Sequence, residues 1–431
     1  MHTRKGIGGS NPSLSASKVC AGVIQWQNRS FPSFLRGFDS HRPLQLWALD
    51  CCFPNRKGVL KMRFWGITGT NGKTTTTWIV AAFIEAGGGK CGYITTVEVY
   101  DGARRFHTGY TTPPLARLKE IYSAMESNGC TDCVMEVSSH AIHQNRVGFG
   151  DVTCFSGGAF TNLTEDHLDY HKTMDEYFRV KLSFAERVAE HCSNAPYVVC
   201  LDGGCGAEML EACRAFPLTA IPVTVKNSPY DLSGLKLVGE YNKSNVLVAA
   251  ALAEAAGVPH DVIQATIPSL VPRWGRLEYV KNANVKAKAY VDFAHTPDGL
   301  DKVLSAARGF TPAGGRLWVV FGAGGDRDPM KRPLMGAACA RLADCLVVTS
   351  DNPRSENPDK IIGQIMAGID EDREIRIEPD RRKAIEYALS QAGENDVVII
   401  AGKGHETTQE IAGVKYPFDD REIVRCFGAR V

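Results

Sequence analysis

Residues 66–75 read Gly66-Ile67-Thr68-Gly69-Thr70-Asn71-Gly72-Lys73-Thr74-Thr75. A glycine-rich turn followed by Lys-Thr lets backbone N–H groups surround phosphate oxygens, while the lysine reaches the β- and γ-phosphates and the threonine hydroxyl binds Mg²⁺. The spelling is not the strict one, because Ile67 stands where the first glycine of G-x-x-x-x-G-K-[ST] would fall. The stretch predicts an ATP-binding loop made of Gly69, Thr70, Asn71, Gly72, Lys73, Thr74 and Thr75.

The sequence on either side of this loop predicts a strand followed by a helix. Residues 63–68 form an apolar run typical of a buried strand, and residues 74–86 have a helical pattern whose N-terminus would face the phosphates. A strand, turn and helix that bind nothing are the alternative, which Lys73-Thr74-Thr75 directly after the glycine disfavours.

Strand-like runs and helical patterns alternate from residue 62 onward, which predicts parallel sheets covered by helices. The runs are residues 91–99, 130–137, 151–161, 197–201, 289–293, 316–322, 345–349 and 396–402. We predict an α/β fold with a central P-loop-type parallel-sheet ATPase domain at residues 62–272 and a smaller Rossmann-like α/β domain at residues 273–431. Residues 1–61 lack a sustained period and have a composition typical of disorder, so they are predicted to be an atypical segment, upstream of a folded part that begins near Met62.

The composition limits the classes of partner. The chain has 431 residues, 44% of them apolar and 23% charged, with a formal net charge of +1. So small a charge predicts no nucleic-acid or membrane partner, and anionic ligands must be bound by local Arg and Lys groups. We interpret the fourteen scattered cysteines as free thiols, with a zinc or redox role for Cys130-x-x-Cys133 as a minor alternative. Without a transmembrane run or signal peptide, a cytoplasmic location is predicted.

Six further segments extend the pattern beyond the nucleotide loop. They are Thr111-Thr112-Pro113, Met135-Glu136-Val137-Ser138-Ser139-His140, residues 160–171, residues 291–298, Gly324-Gly325-Asp326-Arg327-Asp328 and Asp351-Asn352-Pro353-Arg354. Together with the loop they resemble the Mur ligase family, the ATP-dependent amide-forming enzymes of bacterial peptidoglycan precursor synthesis. Any one segment would be weak support, whereas all of them in this order argue against coincidence.

A metal site is indicated at the end of one strand-like run. Glu136 ends that run, and the carboxyl end of a parallel strand delivers residues to the ligand crevice. Alone, His167 would be as readily a structural residue, and Lys181 would be a solvated helix lysine. The resemblance implies that both, with Glu136 and Thr74, bind Mg²⁺, Lys181 as a carbamate formed with CO₂, because a carbamate turns a cation into an anionic oxygen ligand. The implied catalytic residues are Lys73, Glu136, His167 and Lys181.

The resemblance also implies two sets of substrate contacts. The residues matched to the UDP-muramoyl-dipeptide are Thr111, Thr112, Ser138, Gln144 and Arg146. The residues matched to ATP outside the loop are Asn242, Arg276, Asp292 and His295. The chain departs from the family at the join between the domains, where Arg273-Trp274 stands between Pro272 and Gly275, and this puts the hinge and the role of Arg276 in doubt.

The segment at residues 351–354 carries most information about the amino acid that is added. Its Asp-Asn-Pro-Arg form resembles that of family members that add meso-diaminopimelate. This amino acid carries a second carboxylate that the guanidinium of Arg354 can bind bidentately, whereas lysine has a cation there. The implied acceptor contacts are Arg327, Asp351, Asn352, Pro353, Arg354, Gly402 and Glu406. On the local pattern alone, the first three residues of the segment would be a turn after a strand.

The implied reaction is transfer of the ATP γ-phosphoryl group to the D-Glu carboxylate of UDP-N-acetylmuramoyl-L-Ala-D-Glu, followed by attack of the amine on the acyl phosphate, with closure of the two domains. A related ligase of the folylpolyglutamate or recycling type and a catalytically idle nucleotide-binding remnant are alternatives. Residues 1–61 do not match the family's UDP-binding domain. A truncated or mispredicted product, a separate chain that supplies this domain, and a substrate without the nucleotide all stay open.

Overall fold

The computed structural model describes residues 62–147, 154–370 and 375–429. The predictions for residues 1–61 concern a segment outside these ranges, as does the start of the predicted run at residues 151–161. None of the helices within the described ranges is long and apolar enough to cross a membrane.

The first part of the described chain forms an eight-stranded sheet. Its strands are β1 (Arg63–Thr68), β2 (Cys91–Ile94), β3 (Val99–Tyr100), β4 (Arg105–Phe106), β5 (Asp132–Glu136), β6 (Phe155–Phe160), β7 (Ala195–Cys200) and β8 (Leu218–Val223). They lie in the order β4-β3-β2-β5-β1-β6-β7-β8, and all pairings are parallel except the two that involve β3. The associated helices are α1 (Lys73–Ala86), α2 (Leu115–Ser127), α3 (Ser139–His143), α4 (Leu168–His171), α5 (Met174–His191), α6 (Gly206–Cys213), α7 (Glu240–Ala255) and α8 (His260–Thr266).

The second part forms a six-stranded sheet and a separate hairpin. The sheet strands are β9 (Glu278–Tyr279), β10 (Lys288–Asp292), β11 (Leu317–Phe321), β12 (Cys345–Val348), β13 (Ile375–Ile377) and β14 (Val397–Ala401), and the hairpin strands are β15 (Thr408–Ile411) and β16 (Val414–Pro417). The sheet order is β13-β12-β11-β14-β10-β9, with only β9 antiparallel. The helices are α9 (Pro297–Phe310), α10 (Lys331–Leu342), α11 (Pro358–Met366), α12 (Arg381–Gln391) and α13 (Asp420–Cys426).

Burial on both faces explains why the central strands are continuous apolar runs. In β1, Phe64 packs into a core with α2 and α5, whereas Trp65 and Ile67 pack into a core with α1 and α7 on the opposite face. Parallel strands covered on both sides have no solvent face and therefore show no polar alternation. The predicted α/β class, with a parallel-sheet domain that carries the nucleotide loop and a second α/β sheet, is confirmed.

One predicted strand is wrong. The apolar run at residues 91–99 predicts a single strand, but β2 ends at Ile94 and Val99 begins an antiparallel strand. The reason is a turn at Thr95, whose hydroxyl accepts hydrogen bonds from the backbone N–H groups of Val97 and Glu98. A threonine side chain that bonds the backbone two and three residues on reverses the chain and ends the strand.

Candidate active site

The nucleotide loop connects β1 to the N-terminus of α1. Gly72 is the N-cap of α1 with a φ of 86°, and Asn162 Oδ1 accepts a hydrogen bond from the backbone N–H of Asn71 at 2.9 Å. Lys73 Nζ donates to the carbonyl oxygens of Gly69 at 3.0 Å and Thr70 at 2.8 Å. The loop is therefore shaped by protein contacts, with a lysine ammonium group held across it.

We predict that Gly69→Ala lowers the affinity for ATP by about tenfold or more, which is about 1.4 kcal/mol. Gly69 has a φ of +146°, and a Cβ there would lie 1.9 Å from Thr161 Oγ1. The loop must therefore shift, which misplaces the N–H groups that face phosphate. Titration calorimetry with an ATP analogue measures the loss. The control is Gly309→Ala, which adds a methyl group to α9 in open space; equal affinities in both variants would contradict the prediction.

The carboxylate of Glu136 lies at the carboxyl end of β5 in a fixed orientation. The backbone N–H and the hydroxyl of Thr96 donate to its two oxygens at 2.9 Å and 3.1 Å. The same hydroxyl is 3.0 Å from Thr111 Oγ1, and Thr112 Oγ1 donates to the Glu136 carbonyl at 2.7 Å. Thr96 was not predicted, because it lies inside the run at residues 91–99 that the sequence predicts as one strand, whereas the structure places it two residues after β2.

Lys181 approaches the loop from α5, and His167 approaches it from the N-cap position of α4. Lys181 is 1% exposed, and its Nζ donates to the carbonyl of Gly69 at 2.8 Å, beneath the loop. Burial, with the nearby charge of Lys73, holds the pKa of Lys181 well below its usual value. Burial also lowers the pKa of His167 to about 4. Both groups are thus driven toward their neutral forms, in which a nitrogen lone pair is free to react or to bind a metal.

Residues of the second part of the chain reach the loop across the cleft. Arg276 Nη2 donates to Thr74 Oγ1 at 3.2 Å, which places Arg276 beside the start of α1. Asn71 Nδ2 donates to Asp298 Oδ2 at 2.8 Å. These contacts bring the first helix of each sheet together around the nucleotide loop.

The other residues matched to ATP also lie in the cleft. Asp292 ends β10, and its oxygens accept hydrogen bonds from the backbone N–H groups of Leu277 at 2.6 Å and Ala294 at 2.7 Å. Burial raises the pKa of Asp292 and lowers the pKa of His295. Asn242, near the start of α7, is 7% exposed. The cleft therefore holds a mixed set of donors and acceptors beside the loop.

Residues 351–354 do not form only a turn after β12, because their backbone is also hydrogen-bonded to the hairpin of β15 and β16. The backbone N–H of Arg354 donates to the Glu410 carbonyl at 3.1 Å, and its carbonyl accepts from Ala412 N–H at 2.7 Å, so the segment is bonded to β15 and the hairpin turn. These bonds hold Arg354 at a φ of 50°. Its Nη1 donates to the carbonyl of Gly325 at 2.6 Å, and its Nε is 3.8 Å from Glu410 Oε2. The guanidinium is therefore fixed at the cleft wall.

From the ion pair between Arg332 and Glu356 we predict that the stability of the folded protein falls in acid. Arg332 donates to both oxygens of Glu356 at 2.7 and 2.9 Å, and this hydrogen bonding lowers the pKa of Glu356 to about 2. Because the folded pKa lies below the usual value of 4.5, the stabilisation is complete above that pH and is lost as the pH falls toward 2. Glu356→Gln should therefore lower the free energy of unfolding at neutral pH, by up to about 1 kcal/mol for a solvent-screened ion pair.

Urea unfolding at several pH values measures this difference. It should shrink as the solution is made acidic, whereas the exposed control Glu394→Gln should show little difference from wild type at any pH. A Glu356→Gln difference that stays constant through the acid range would contradict the assignment.

The cleft between the two sheets contains a cavity of about 580 Å³. The predicted residues that line it are Thr70, Asn71, Gly72, Lys73, Thr74, Thr75, Thr111, Thr112, Glu136, Ser138, Arg146, His167, Asn242, Arg276, Asp292, His295, Arg327, Asp351, Asn352, Arg354, Gly402 and Glu406. The predicted residues outside its lining are Gly69, Lys181, Gln144 and Pro353. Gly69 is the first residue of the loop, and Lys181 lies beneath the loop, bonded to the Gly69 carbonyl. Gln144 is an exposed residue whose Oε1 accepts from Arg146 Nε at 2.9 Å.

Two further features of the cavity escaped sequence reasoning. Asp166 and Lys331 both line it, with Oδ1 and Nζ 3.9 Å apart across the cleft. Lys331 follows Arg327 by four residues, and Asp166 precedes His167, so proximity to predicted residues was the available signal. In addition, Arg276 Nε and Asp351 Oδ2 are buried without a hydrogen-bond partner among the described residues. Buried polar atoms of this kind in a cavity wall are typical of a ligand site.

The cysteine prediction concerns groups outside this cavity. Ten cysteines of the described ranges are free thiols, with Cys130 and Cys133 among them, whereas Cys192 is disulfide-bonded, so the prediction of free thiols is wrong at that position. Within the same ranges, no three or more His, Cys, Asp or Glu side chains are grouped so as to hold a metal ion. Among the described residues, Cys130 and Cys133 therefore belong to no cluster of metal ligands, and the minor alternative of zinc binding there has no support from the structure.

Comparisons with known proteins agree with this geometry. Residues 67–232 match the model of the Mur ligase middle domain, and residues 275–404 match that of the Mur ligase, glutamate ligase domain. UDP-N-acetylmuramoyl-L-alanyl-D-glutamate–2,6-diaminopimelate ligase 1 of Clostridium acetobutylicum is 39% identical over 393 residues, which are 85% of this chain and 78% of that protein. The corresponding ligase of Aquifex aeolicus is 40% identical over 384 residues, with 84% and 76% covered.

Solved structures show the same fold. A UDP-N-acetylmuramoyl-L-alanyl-D-glutamate–2,6-diaminopimelate ligase structure aligns with a TM-score of 0.54 and 31% identity, and the match covers 84% of this chain and 77% of that one. The folylpolyglutamate synthase of Mycobacterium tuberculosis aligns with a TM-score of 0.57 at 20% identity, covering 80% and 89%, which indicates the fold alone.

The two sheets and the nucleotide loop in the cleft between them define a two-domain α/β enzyme of the ATP-dependent amide ligase class. The chain belongs to the Mur ligase family.

Proposed function

We propose that this chain is an ATP-dependent ligase that adds meso-diaminopimelate to the D-Glu residue of UDP-N-acetylmuramoyl-L-Ala-D-Glu in the bacterial cytoplasm. The observation that carries the proposal is the position of Arg354 in the wall of the same cavity as the nucleotide loop. Relatives 39–40% identical are diaminopimelate ligases, which supports it. The comparisons lend no support to a separate chain that supplies a UDP-binding domain, and none is proposed.

In this proposal ATP binds with its phosphates on the loop. Lys73 and Arg276 balance the phosphate charge, while Asn242, Asp292 and His295 contact the adenosine. The dipole of α1 and the backbone N–H groups at its start add to this attraction. Thr111, Thr112, Ser138, Gln144 and Arg146 bind the muramoyl-dipeptide.

The residues around Glu136 fit Mg²⁺. Magnesium prefers oxygen ligands and is commonly bound through one or two carboxylates and substrate phosphates. Glu136 supplies a carboxylate with both oxygens positioned by Thr96, Thr74 supplies a hydroxyl, and the neutral ring of His167 supplies a nitrogen. When bound, Mg²⁺ neutralises charge on the phosphoryl oxygens. An ammonium group cannot ligate a metal, so Lys181 would join the set only as a carbamate.

We predict that Lys181 is carbamylated. Carbon dioxide reacts with the neutral amine, and burial beside Lys73 lowers the pKa of Lys181 and so favours that form. Protein equilibrated with ¹³C-labelled CO₂ should show a carbamate ¹³C resonance that is missing in Lys181→Met. The exposed Lys119→Met variant is the control and should keep the resonance. An identical spectrum for wild type and Lys181→Met would contradict carbamylation.

The D-Glu carboxylate attacks the γ-phosphorus of ATP, which releases ADP and gives an acyl phosphate. The free amine of meso-diaminopimelate then attacks the acyl carbon and expels phosphate, which forms the amide bond. The residues of this chain mainly bind, orient and shield these groups. We also infer domains at residues 62–272 and 273–431 that close during the reaction, which small-angle scattering would detect as compaction with an ATP analogue and both substrates.

Phosphate release tests the proposed function. Purified protein with Mg-ATP should release phosphate rapidly only when both the UDP-muramoyl-dipeptide and meso-diaminopimelate are present. Release that needs neither substrate would indicate an ATPase, and no release with both would overturn the proposal. Release with a folate or with a free peptide in place of the UDP-linked acid would favour another ligase.

A further inference from the structure

Lys403 follows β14 and lies fully buried behind two of the predicted acceptor contacts. It is 0% exposed. Its Nζ donates to Asn352 Oδ1 at 3.0 Å, to Glu406 Oε2 at 2.7 Å and to the carbonyl of Thr408 at 2.7 Å. An ammonium group has three N–H donors and no acceptor, so these bonds use its whole capacity. Lys403 can therefore act on a ligand only through its partners.

The partners of Asn352 determine the orientation of its amide. Its Oδ1 accepts from Lys403 Nζ and from the backbone N–H of Glu410 at 3.0 Å, two groups that only donate. Its Nδ2 donates to Glu406 Oε2 at 2.8 Å, and an ionised carboxylate only accepts. Turning the amide over would mismatch all three contacts. One N–H of Nδ2 is used by Glu406, which leaves the other for the cavity that Asn352 lines.

The side chain of Glu406 is oriented by the same two residues, Lys403 and Asn352. Both Lys403 and Asn352 donate to its Oε2, so these two bonds leave Oε1 for the cavity, where the side chain is 32% exposed. The wall therefore presents an N–H donor from Asn352 beside an anionic acceptor from Glu406. The two ends of a zwitterionic amino acid, a carboxylate and an ammonium group, match this pair in charge and in hydrogen bonding.

We propose that Lys403 is a positioning residue that sets the polarity of the amino-acid pocket, so that Asn352 donates to a carboxylate and Glu406 accepts from an ammonium group of the incoming amino acid. The inference rests on the proposed function, because it concerns the acceptor of that reaction. Without Lys403, Asn352 Oδ1 and Glu406 Oε2 each lose one of their two donors, so both side chains are held less firmly in the orientation that suits a zwitterionic amino acid.

Lys403→Met tests the inference, because methionine keeps an unbranched chain of similar size and removes all three donors. The KM for meso-diaminopimelate should rise by about tenfold or more, while the KM for ATP changes by less than about twofold. The control is Lys415→Met, an exposed residue of β16, which should leave both constants unchanged. An unchanged KM for meso-diaminopimelate in Lys403→Met would overturn the inference.

Asn352→Asp tests the polarity itself. The aspartate keeps an oxygen for Lys403 and for the Glu410 N–H but replaces the free N–H donor with an anionic oxygen. We expect a rise in the KM for meso-diaminopimelate at least as large as in Lys403→Met, with the melting temperature compared to confirm folding. A normal KM in a folded Asn352→Asp protein would show that the donor is not used and would overturn the assignment.

A readout without turnover separates this inference from the proposed function. If wild type forms no product, the proposed function fails, yet ¹⁵N spectra of protein labelled at asparagine still decide the role of Lys403. The side-chain amide signal of Asn352, assigned by its loss in Asn352→Asp, should exchange its protons slowly in wild type and faster in Lys403→Met. Equal exchange in both proteins would overturn the inference even if the ligase activity were present.

Discussion

Lys73→Met is expected to reduce the turnover number of ligation by about 10²- to 10³-fold while the protein stays folded. Lys73 Nζ donates to the carbonyls of Gly69 and Thr70, which places its charge across the loop on which the phosphates bind. Phosphoryl transfer spreads negative charge over the γ-phosphoryl oxygens, and a fixed cation lowers the barrier more than it strengthens ground-state binding. Methionine has a similar length and no charge. Steady-state phosphate release with both substrates measures the effect.

The matched control is Lys119→Met, the same substitution at an exposed position of α2. It should retain the wild-type turnover number, and thermal unfolding should show that both variants fold. A Lys73→Met protein that retains the wild-type turnover number would mean that the loop does not bind the transferred phosphoryl group, and the nucleotide site would have to be sought elsewhere.

Arg354→Ala is expected to weaken binding of meso-diaminopimelate by about 2–5 kcal/mol and to leave ATP binding almost unchanged. Arg354 Nη1 donates one N–H to the Gly325 carbonyl and Nε lies 3.8 Å from Glu410 Oε2, so the second N–H of Nη1 and both N–H groups of Nη2 are left for the cavity. A ligand carboxylate there would lose a charge-assisted hydrogen bond and become unpaired. Titration calorimetry in the presence of an ATP analogue measures both affinities.

Two further variants sharpen this test. Arg354→Lys keeps the charge but not the planar fork, so it should recover only part of the lost affinity. Arg382→Ala removes an exposed arginine from α12 and should bind as wild type does. If Arg354→Ala binds meso-diaminopimelate as tightly as wild type, the side-chain carboxylate is recognised elsewhere.

The nucleotide loop and the α/β class could be predicted from sequence, because they depend on local pattern. Gly69 to Thr75 lie between a buried strand and a helix, and parallel pairing places Glu136 at the same edge of the sheet as this loop. The turn at Thr95 is local too, but it was missed because two backbone hydrogen bonds to one side chain outweighed a continuous apolar pattern. Local pattern was therefore sufficient for the loop and the fold class, but not for every turn.

The rest of the site depends on partners that are far apart in the chain. Lys331 and Asp166 are brought within 3.9 Å across the cleft, and Lys403 is bonded to Asn352, 51 residues before it. Neither pair has a sequence period, so only the packed structure shows them together. Thr96 lies inside the run predicted as one strand, so neither its position after β2 nor its two bonds to Glu136, 40 residues away, could be predicted.

A competition assay tests the proposed choice of amino acid most directly. The protein is incubated with Mg-ATP, UDP-N-acetylmuramoyl-L-Ala-D-Glu and equal concentrations of meso-diaminopimelate and L-lysine, and the products are identified by mass spectrometry. The dominant product should be the diaminopimelate-containing tripeptide, formed together with ADP and phosphate. A lysine-containing product in equal or greater amount, or no product while ATP is still consumed, would contradict the proposed function.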